Sequence, residues 1–202
     1  MSVRQGLLAL LAKQPMYGAQ LRSEFEARTG GTWPLNVGQV YTTLARLERD
    51  GLVEAAGGPD DDGRIAYRLT DAGREAVGRW WTTPVDRTDH PRDELAIKLA
   101  LAVTVGDVDV PAVVQTQRTQ TVRALQDLTR LKHRATENDD LAWLLVLDNL
   151  VFAAEAEVRW LDHVEARLLR AGARSAPSPA SAVPFPETAT GRTRTASGRA
   201  AR

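Results

Sequence analysis

The 202-residue sequence contains no cysteine. Disulfide cross-links, thiolate nucleophiles and cysteine-bound metals are therefore excluded. The three histidines, at positions 90, 133 and 163, do not form the i, i+4 pair of a helical zinc site. The sequence also has no glycine-rich phosphate loop and no serine in a nucleophile elbow, and its acidic PDDDG segment lacks the alternating ligands of a calcium loop. These absences predict a protein that is not an enzyme and binds neither a cofactor nor a metal.

Long apolar runs and an excess of one charge sign are missing as well. No segment approaches the roughly 18 apolar residues of a membrane span. The N-terminal MSVRQGLLALLAKQP is interrupted by Lys13 and has no small-residue cleavage site, so we expect an amphipathic helix and not a signal peptide. The protein is therefore expected to be cytoplasmic. Because 26 basic residues balance 26 acidic ones, net charge neither favours nor excludes a nucleic-acid partner.

Apolar side chains become scarce in the last thirty residues, 173–202, which consist almost entirely of Ala, Ser, Thr, Pro, Gly and Arg. Too little apolar surface is present to offset the entropy of ordering, so this tail is expected to be disordered. It holds five arginines and one acidic residue, Glu187, which leaves a net charge of −4 for residues 1–172. A solvated tail is the favoured interpretation, and a tail that binds DNA nonspecifically is the alternative.

Residues 1–85 contain short helices separated by turn signals. The first helix must stop before Pro15, because the residue preceding a proline avoids helical angles. A second helix is predicted over residues 18–28. Asn36 occupies the N-cap position of a third helix, with Gln39 at the capping-box spacing, and Gly51 supplies the left-handed residue that ends it.

The apolar period then changes from 3.6 to 2, which predicts strands over residues 52–55 and 64–69 joined by the turn GGPDDDG. Thr70 caps a fourth helix that reaches Trp80 and Trp81. The predicted fold is mainly α with a small β-hairpin, in the order of a winged helix-turn-helix domain. In such a domain the second helix crosses the DNA backbone and the third enters the major groove.

The third helix has two contrasting faces. Its apolar stripe consists of Val37, Val40, Leu44 and Leu47. The opposite face carries Gln39, Thr42, Arg46 and Arg49 with the small Gly38 and Ala45. Arginine bonds guanine bidentately, glutamine bonds adenine, and a threonine methyl packs on thymine, so this face is suited to base edges. The alternative is that both arginines are merely solvated and pair with Glu48 or Asp50.

Three separated motifs lie within about residues 5–79: MYGAQL, then WPLNVGQVYTTLARLERDGLV, and finally RIAYRLTDAGR. In this order they resemble the motifs of the PadR-type transcriptional regulators. The family commonly shows a YGYEL-like start, a Y-x-x-L-x-R-L-E-x-x-G-L-V segment and a Y-x-L-T-x-x-G wing end. The resemblance implies a homodimeric repressor whose recognition helix includes residues 41–49.

The sequence departs from the family pattern in two places. Thr42 stands where the family often has proline, and the wing tip is acidic at Asp60, Asp61 and Asp62. Acidic side chains repel phosphate, so wing contacts are expected at Arg64 and Arg68 instead. The full set of expected DNA-binding residues is Arg22, Gln39, Tyr41, Thr42, Arg46, Arg49, Arg64 and Arg68.

Residues 86–172 read as a helical dimerisation domain. Helices are predicted over residues 93–104, from Pro111 to Arg134, and over residues 140–171 with Asn138 and Asp139 as caps. The segment LAWLLVLDNLVFAA, residues 141–154, is apolar on nearly every side, and a helix of that kind must be covered on every side. One small winged-helix domain cannot cover it, so a second copy of the chain is expected to contact Leu141, Leu145 and Phe152.

Trp143 and Trp160 lie on the same predicted helix, and Trp80 and Trp81 lie at the end of the fourth. Aromatic planes near a dimer contact are suited to a flat effector, and the resemblance implies regulators that sense small aromatic compounds. Tryptophan as ordinary core filler is the favoured alternative, because no polar cluster marks a pocket.

Two functions of different class remain open. The first is a ligand-responsive repressor that binds double-stranded DNA as a homodimer on an inverted-repeat operator. The second is a protein-interaction module that uses the winged helix and the apolar C-terminal helix without reading DNA. The polar, small-residue face of the third helix favours the first, since an apolar face would have favoured the second.

Overall fold

The computed structural model describes residues 2–88, 92–137 and 140–175, and the predicted fold class is confirmed in it: helices dominate, with one small sheet. The elements in chain order are α1 (Ser2–Leu11), β1 (Met16–Tyr17), α2 (Gly18–Arg28), α3 (Val37–Arg49), β2 (Val53–Ala55), β3 (Ala66–Leu69), α4 (Asp71–Thr82), α5 (Glu94–Ala102), α6 (Val110–Glu137) and α7 (Leu141–Ser175). The tail from residue 176 onward, together with His90, Asn138 and Asp139, lies outside the described residues.

The first core joins α1, α2 and α3 to the sheet and α4. Leu7 and Leu8 of α1 are fully buried in the same cluster as Val40, Leu44 and Leu47 of the α3 stripe. Val37 is 47% exposed, so the buried stripe begins one turn later than predicted. This core fixes the orientation of α3 and leaves its opposite face in solvent.

Local capping signals determine both ends of α3 and the end of α2. The Asn36 side chain accepts a hydrogen bond from the backbone N–H of Gly38 at 2.8 Å, and not from that of Gln39 as predicted. Gly30 and Gly51 end α2 and α3 in the left-handed region, with φ of 58° and 70°. After Gly51, the Leu52 N–H donates to the Leu47 carbonyl at 2.9 Å, the bond of a Schellman motif.

The sheet has three antiparallel strands in the order β1-β3-β2, where the sequence predicted only a two-stranded hairpin. The added strand, β1, pairs Met16 with Tyr67 and Tyr17 with Ala66. The returning strand of the hairpin begins at Ala66 and not at residue 64. Thr70 caps α4 as predicted, its hydroxyl accepting a bond from the Gly73 N–H at 3.1 Å.

The C-terminal helices form a second layer. The long helices α6 and α7 pack antiparallel, and three polar contacts mark their register: Thr121 with Glu157 at 2.5 Å, Arg118 with Glu165 at 2.7 Å, and Lys132 with Asp148 at 2.5 Å. A second apolar cluster contains Leu99, Val114 and Leu161. No helix among the described residues is long and apolar enough to cross a membrane.

Several boundaries in this half differ from the prediction. The α6 helix begins at Val110, one residue before Pro111, and continues to Glu137. The N-terminal cap of α7 is Asp140, whose carboxylate accepts a bond from the Trp143 N–H at 3.1 Å. The same helix continues to Ser175, beyond residue 173 where the tail was predicted to begin. The predicted domain boundary near residue 85 falls between α4 and α5.

Candidate nucleic-acid interface

The solvent face of α3 lies opposite its buried stripe. Gly38, Thr42, Ala45 and Arg49 follow one another at i, i+4, i+7 and i+11, and all four are exposed. Helical geometry therefore aligns them along a single line that faces away from the core. With two small residues in that line, another molecule can approach the helix backbone closely.

A shallow cleft of about 390 Å³ runs along one flank of this line, between α1 and α3. Three guanidinium groups, those of Arg4, Arg46 and Arg49, line it with one carboxylate, Asp50. Asp50 bonds Arg4 at 2.9 Å and Arg49 at 2.9 Å, so one negative charge is shared by two positive ones. The cleft therefore carries a net positive charge, as a phosphate-binding surface requires.

Arg46 differs from its neighbours in the cleft. Within the part of the chain that the structure describes, its guanidinium is in no ion pair, whereas Arg49 has the partner, Asp50, that the solvated alternative proposed. Gln39 lines the same cleft. The structure thus brings Gln39, Arg46 and Arg49 together, with Thr42 beside them on the exposed line.

Arg4 lines this cleft and was not predicted from the sequence. Arg4 belongs to α1, which the sequence marks only by its run of leucines. The position of Arg4 in the sequence does not relate it to the third helix. Only the ion pair with Asp50, 46 positions further along the chain, places it in the cleft.

Both predicted wing arginines, Arg64 and Arg68, form ion pairs with carboxylates of the hairpin. Arg64 Nε lies 3.0 Å from Asp60, and its Nη2 also contacts Asp62. Arg68 pairs across the hairpin with Glu54 at 2.8 Å. Because each guanidinium is already paired, the structure does not support the predicted contacts of these two arginines with DNA phosphates.

Arg22 and Tyr41 have structural contacts of their own. Arg22 pairs with Glu26 at 3.0 Å, and Glu26 also accepts the Leu35 N–H at 3.1 Å. The Leu35 N–H has the larger effect and Arg22 the smaller one, and both lower the pKa of the Glu26 carboxyl. The bond to Leu35 also connects α2 to the turn that precedes α3. The Tyr41 ring lies against Gly18, where an added methyl would be 2.9 Å from ring carbons, so it packs α3 on the start of α2.

The three predicted dimer residues form an exposed apolar stripe on α7. Leu141, Leu145 and Phe152 are 67%, 62% and 65% exposed in the single chain. They lie on the side of the helix opposite Leu147 and Leu161, which are fully buried. Packing against α6 therefore covers one side of α7 and leaves this stripe in solvent.

The two tryptophans predicted for an effector occupy separate places. The Trp143 ring lies over Gly30 in the α2–α3 turn. Trp160 lines a cavity of about 920 Å³ between α5 and α7, together with Leu99 and Val164. Seventeen residues of helix separate them, which is roughly 25 Å at 1.5 Å per residue. One protomer therefore cannot sandwich a single small ligand between these two rings.

A smaller cavity of about 360 Å³ lies between α1, α2 and α4. Phe25 and the adjacent rings of Trp80 and Trp81, whose centroids are 4.3 Å apart, form much of its wall. Lys13 and Arg28 also line it, and Arg28 is paired with Glu24 at 2.7 Å.

Two known protein families match this chain, one in each half. Residues 7–79 match the Transcriptional regulator PadR-like family. Residues 7–79 are a domain of the PadR-like transcriptional regulators. Its residues 91–168 match a second family, described as Virulence activator alpha C-term. The resemblance found in the three sequence motifs is thereby confirmed.

Relatives of this PadR-like regulator extend over most of its length. "Probable transcriptional regulator Rv1176c" of Mycobacterium tuberculosis is 28% identical over 81% of this chain and 96% of its own. PadR of Bacillus subtilis, solved in complex with operator DNA, is 20% identical with a TM-score of 0.65, covering 83% of this chain and 99% of that one. The virulence activator AphA of Vibrio cholerae is 22% identical with a TM-score of 0.62, covering 84% and 99%. The two structural likenesses establish a shared fold.

Proposed function

We propose that this PadR-like regulator is a repressor that binds an inverted-repeat operator as a homodimer in the cytoplasm and responds to a small aromatic effector. The observation that carries the proposal is the solvent face of α3. It is polar, contains two small residues, and includes Arg46, the one arginine among Arg4, Arg22, Arg46, Arg49, Arg64 and Arg68 that has no ion pair in the described part of the chain.

Base reading is assigned to Gln39, Thr42 and Arg46. An unpaired guanidinium reaches guanine O6 and N7 without first breaking an ion pair, and the amide of Gln39 suits adenine. Gly38 and Ala45 lie on the same exposed face, where larger side chains would hold the helix away from the groove. These features support base contact more directly than they support docking of a protein, which favours apolar side chains at its centre.

Phosphate contacts are assigned to Arg4 and Arg49 at the edge of the α1–α3 cleft. Each shares Asp50, so neither is neutralised fully. Contacts of this kind position a protein on the duplex without reading sequence.

The homodimer is supported by the exposed stripe of Leu141, Leu145 and Phe152 on α7. An apolar stripe of this length is suited to the same stripe of a second copy, because a two-fold axis pairs identical surfaces. Two recognition helices related by that axis require half-sites about 34 Å apart, one turn of DNA.

The effector is supported by a relative, since PadR of Bacillus subtilis has also been solved in complex with p-coumaric acid, with a TM-score of 0.66 to this chain. We assign it to the smaller cavity, where Trp80, Trp81 and Phe25 offer aromatic planes and Lys13 offers a cation. Trp143 and Trp160 are less suited, because they lie at two separate sites.

Replacement of Arg46 tests the recognition face. With an operator obtained from the DNA upstream of the gene, Arg46→Ala is expected to lower the ratio of operator to random-duplex affinity by about 5- to 140-fold, the equivalent of 1–3 kcal/mol. Sedimentation should remain that of the wild type. Arg87→Ala, which removes an exposed arginine outside α3, is the control. A wild-type ratio in Arg46→Ala would mean that Arg46 does not read bases.

A further inference from the structure

Two carboxylates at the tip of the wing, residues 60–63, contact the guanidinium of Arg64. One oxygen of Asp60 accepts the backbone N–H of Asp62 at 3.0 Å and that of Arg64 at 2.8 Å. Its other oxygen accepts Arg64 Nε at 3.0 Å. Asp62 contacts the Nη2 atom of the same guanidinium. Asp60 is thus fixed by the turn itself, and the Arg64 side chain is folded back onto it.

A third group, the Tyr17 ring, also contacts Arg64. Its guanidinium carbon lies 5.1 Å from the centroid of the Tyr17 ring, within the range of a cation–π contact. Tyr17 belongs to β1, which is paired with β3. Asp60, Asp62 and Tyr17 therefore all contact the guanidinium, while the Arg64 side chain remains 52% exposed.

The charges of the tip do not cancel. Asp60, Asp61 and Asp62 contribute three negative charges against the single positive charge of Arg64, and Asp61 is in no ion pair within the described residues. The backbone N–H of Arg64, and after it the Arg64 guanidinium, lower the pKa of the Asp60 carboxyl. The α1–α3 cleft has the opposite balance, with three arginines against Asp50.

We propose that the wing tip limits nonspecific DNA binding: Asp60 and Asp62 hold Arg64 away from backbone phosphates, and the remaining negative charge repels them. Affinity then depends on the cleft and on α3, where sequence is read. This inference rests on the proposed DNA-binding function and identifies Asp60 and Asp62 as specificity-determining residues that contact no base.

The physical expectation concerns salt dependence. Nonspecific affinity comes from phosphate neutralisation, and each phosphate contact adds about −0.9 to the slope of log K against log salt. Removing the three tip carboxylates frees Arg64 for one such contact. The slope for random duplex DNA should therefore become steeper by about one.

The test compares two triple variants on a random-sequence duplex of about 20 base pairs. Asp60→Asn, Asp61→Asn and Asp62→Asn together should bind this duplex more tightly than the wild type and with the steeper slope. Adding Arg64→Ala should return the slope to its wild-type value and remove the part of the gain that the Arg64 contact supplies. The matched control, Asp107→Asn with Asp127→Asn and Glu137→Gln, makes the same change in net charge on the C-terminal half and should leave the slope unchanged. Wild-type affinity and slope in the tip variant would overturn the proposal.

Arg64→Ala in the otherwise wild-type chain tests the same point without disturbing the turn carboxylates. Because Arg64 is held by Asp60 and Asp62 and contacts no phosphate, its removal should leave the slope of random-duplex binding against salt unchanged. A loss of affinity with a shallower slope would show that Arg64 already contacts phosphate, and the proposal would be wrong. Neither measurement uses an operator, so failure of operator selection by the wild type would contradict the proposed function separately.

Discussion

The α2–α3 turn contacts the C-terminal helix at Gly30, and replacing this glycine by alanine is expected to disrupt that contact. Gly30 has φ of 58°, and an added methyl would lie 2.2 Å from Cε3 of Trp143. The next residue, Gly31, has φ of 69°, but a methyl there meets nothing within 4 Å. Gly30→Ala and Gly31→Ala therefore share a backbone cost and differ in the clash with Trp143.

The magnitudes follow from those two terms. A left-handed backbone costs an L-residue about 1–2 kcal/mol, which applies to both variants. Forcing a methyl into an occupied contact adds about 1–3 kcal/mol, which applies to Gly30→Ala alone. At roughly 2–4 °C per kcal/mol for a chain of this length, Gly30→Ala should melt about 2–12 °C below Gly31→Ala.

Thermal unfolding followed by circular dichroism measures this difference. Both variants must be compared at the same protomer concentration, because association makes Tm depend on concentration. Trp143→Ala removes the ring that the methyl would strike, so in that background the two alanine variants should be equally destabilised. Equal Tm values for Gly30→Ala and Gly31→Ala beside an intact Trp143 would refute the reasoning.

Two further predictions concern assembly and its use on DNA. Leu145→Asp combined with Phe152→Asp places charge in a contact that must exclude water, so sedimentation should show monomers. Val85→Asp, at another exposed apolar side chain, should leave the dimer intact. A double variant that remains dimeric would locate the dimer contact elsewhere. Inserting about five base pairs between the half-sites turns one of them to the opposite face of the duplex, so gel-shift affinity should fall to the nonspecific level. An operator whose binding is unaffected by that insertion would be read by one protomer alone.

Local signals made much of the fold predictable. The α2 helix has the predicted bounds, 18–28, because it lies between a proline turn and a glycine pair that act within a few residues of chain. Gly51 ends α3 and Thr70 caps α4 for the same reason. The first strand, β1, escaped prediction because two residues show no alternation, and only pairing with β3 makes them a strand.

Sequence alone determined which residue types stand on the exposed face of α3, since helical period and an apolar stripe fix the two sides of a helix. It also determined that α7 has more apolar surface than one neighbour covers. Tertiary structure decided which arginines are in ion pairs. Arg4 pairs with Asp50, and Arg68 with Glu54, only because folding brings distant segments of the chain together. The positions of Trp143 and Trp160 were decided in the same way, by the packing of α7 on the α2–α3 turn and on α5. Hydrophobic period and capping act over a few residues, whereas ion pairs and cavities depend on the distances that the folded chain creates.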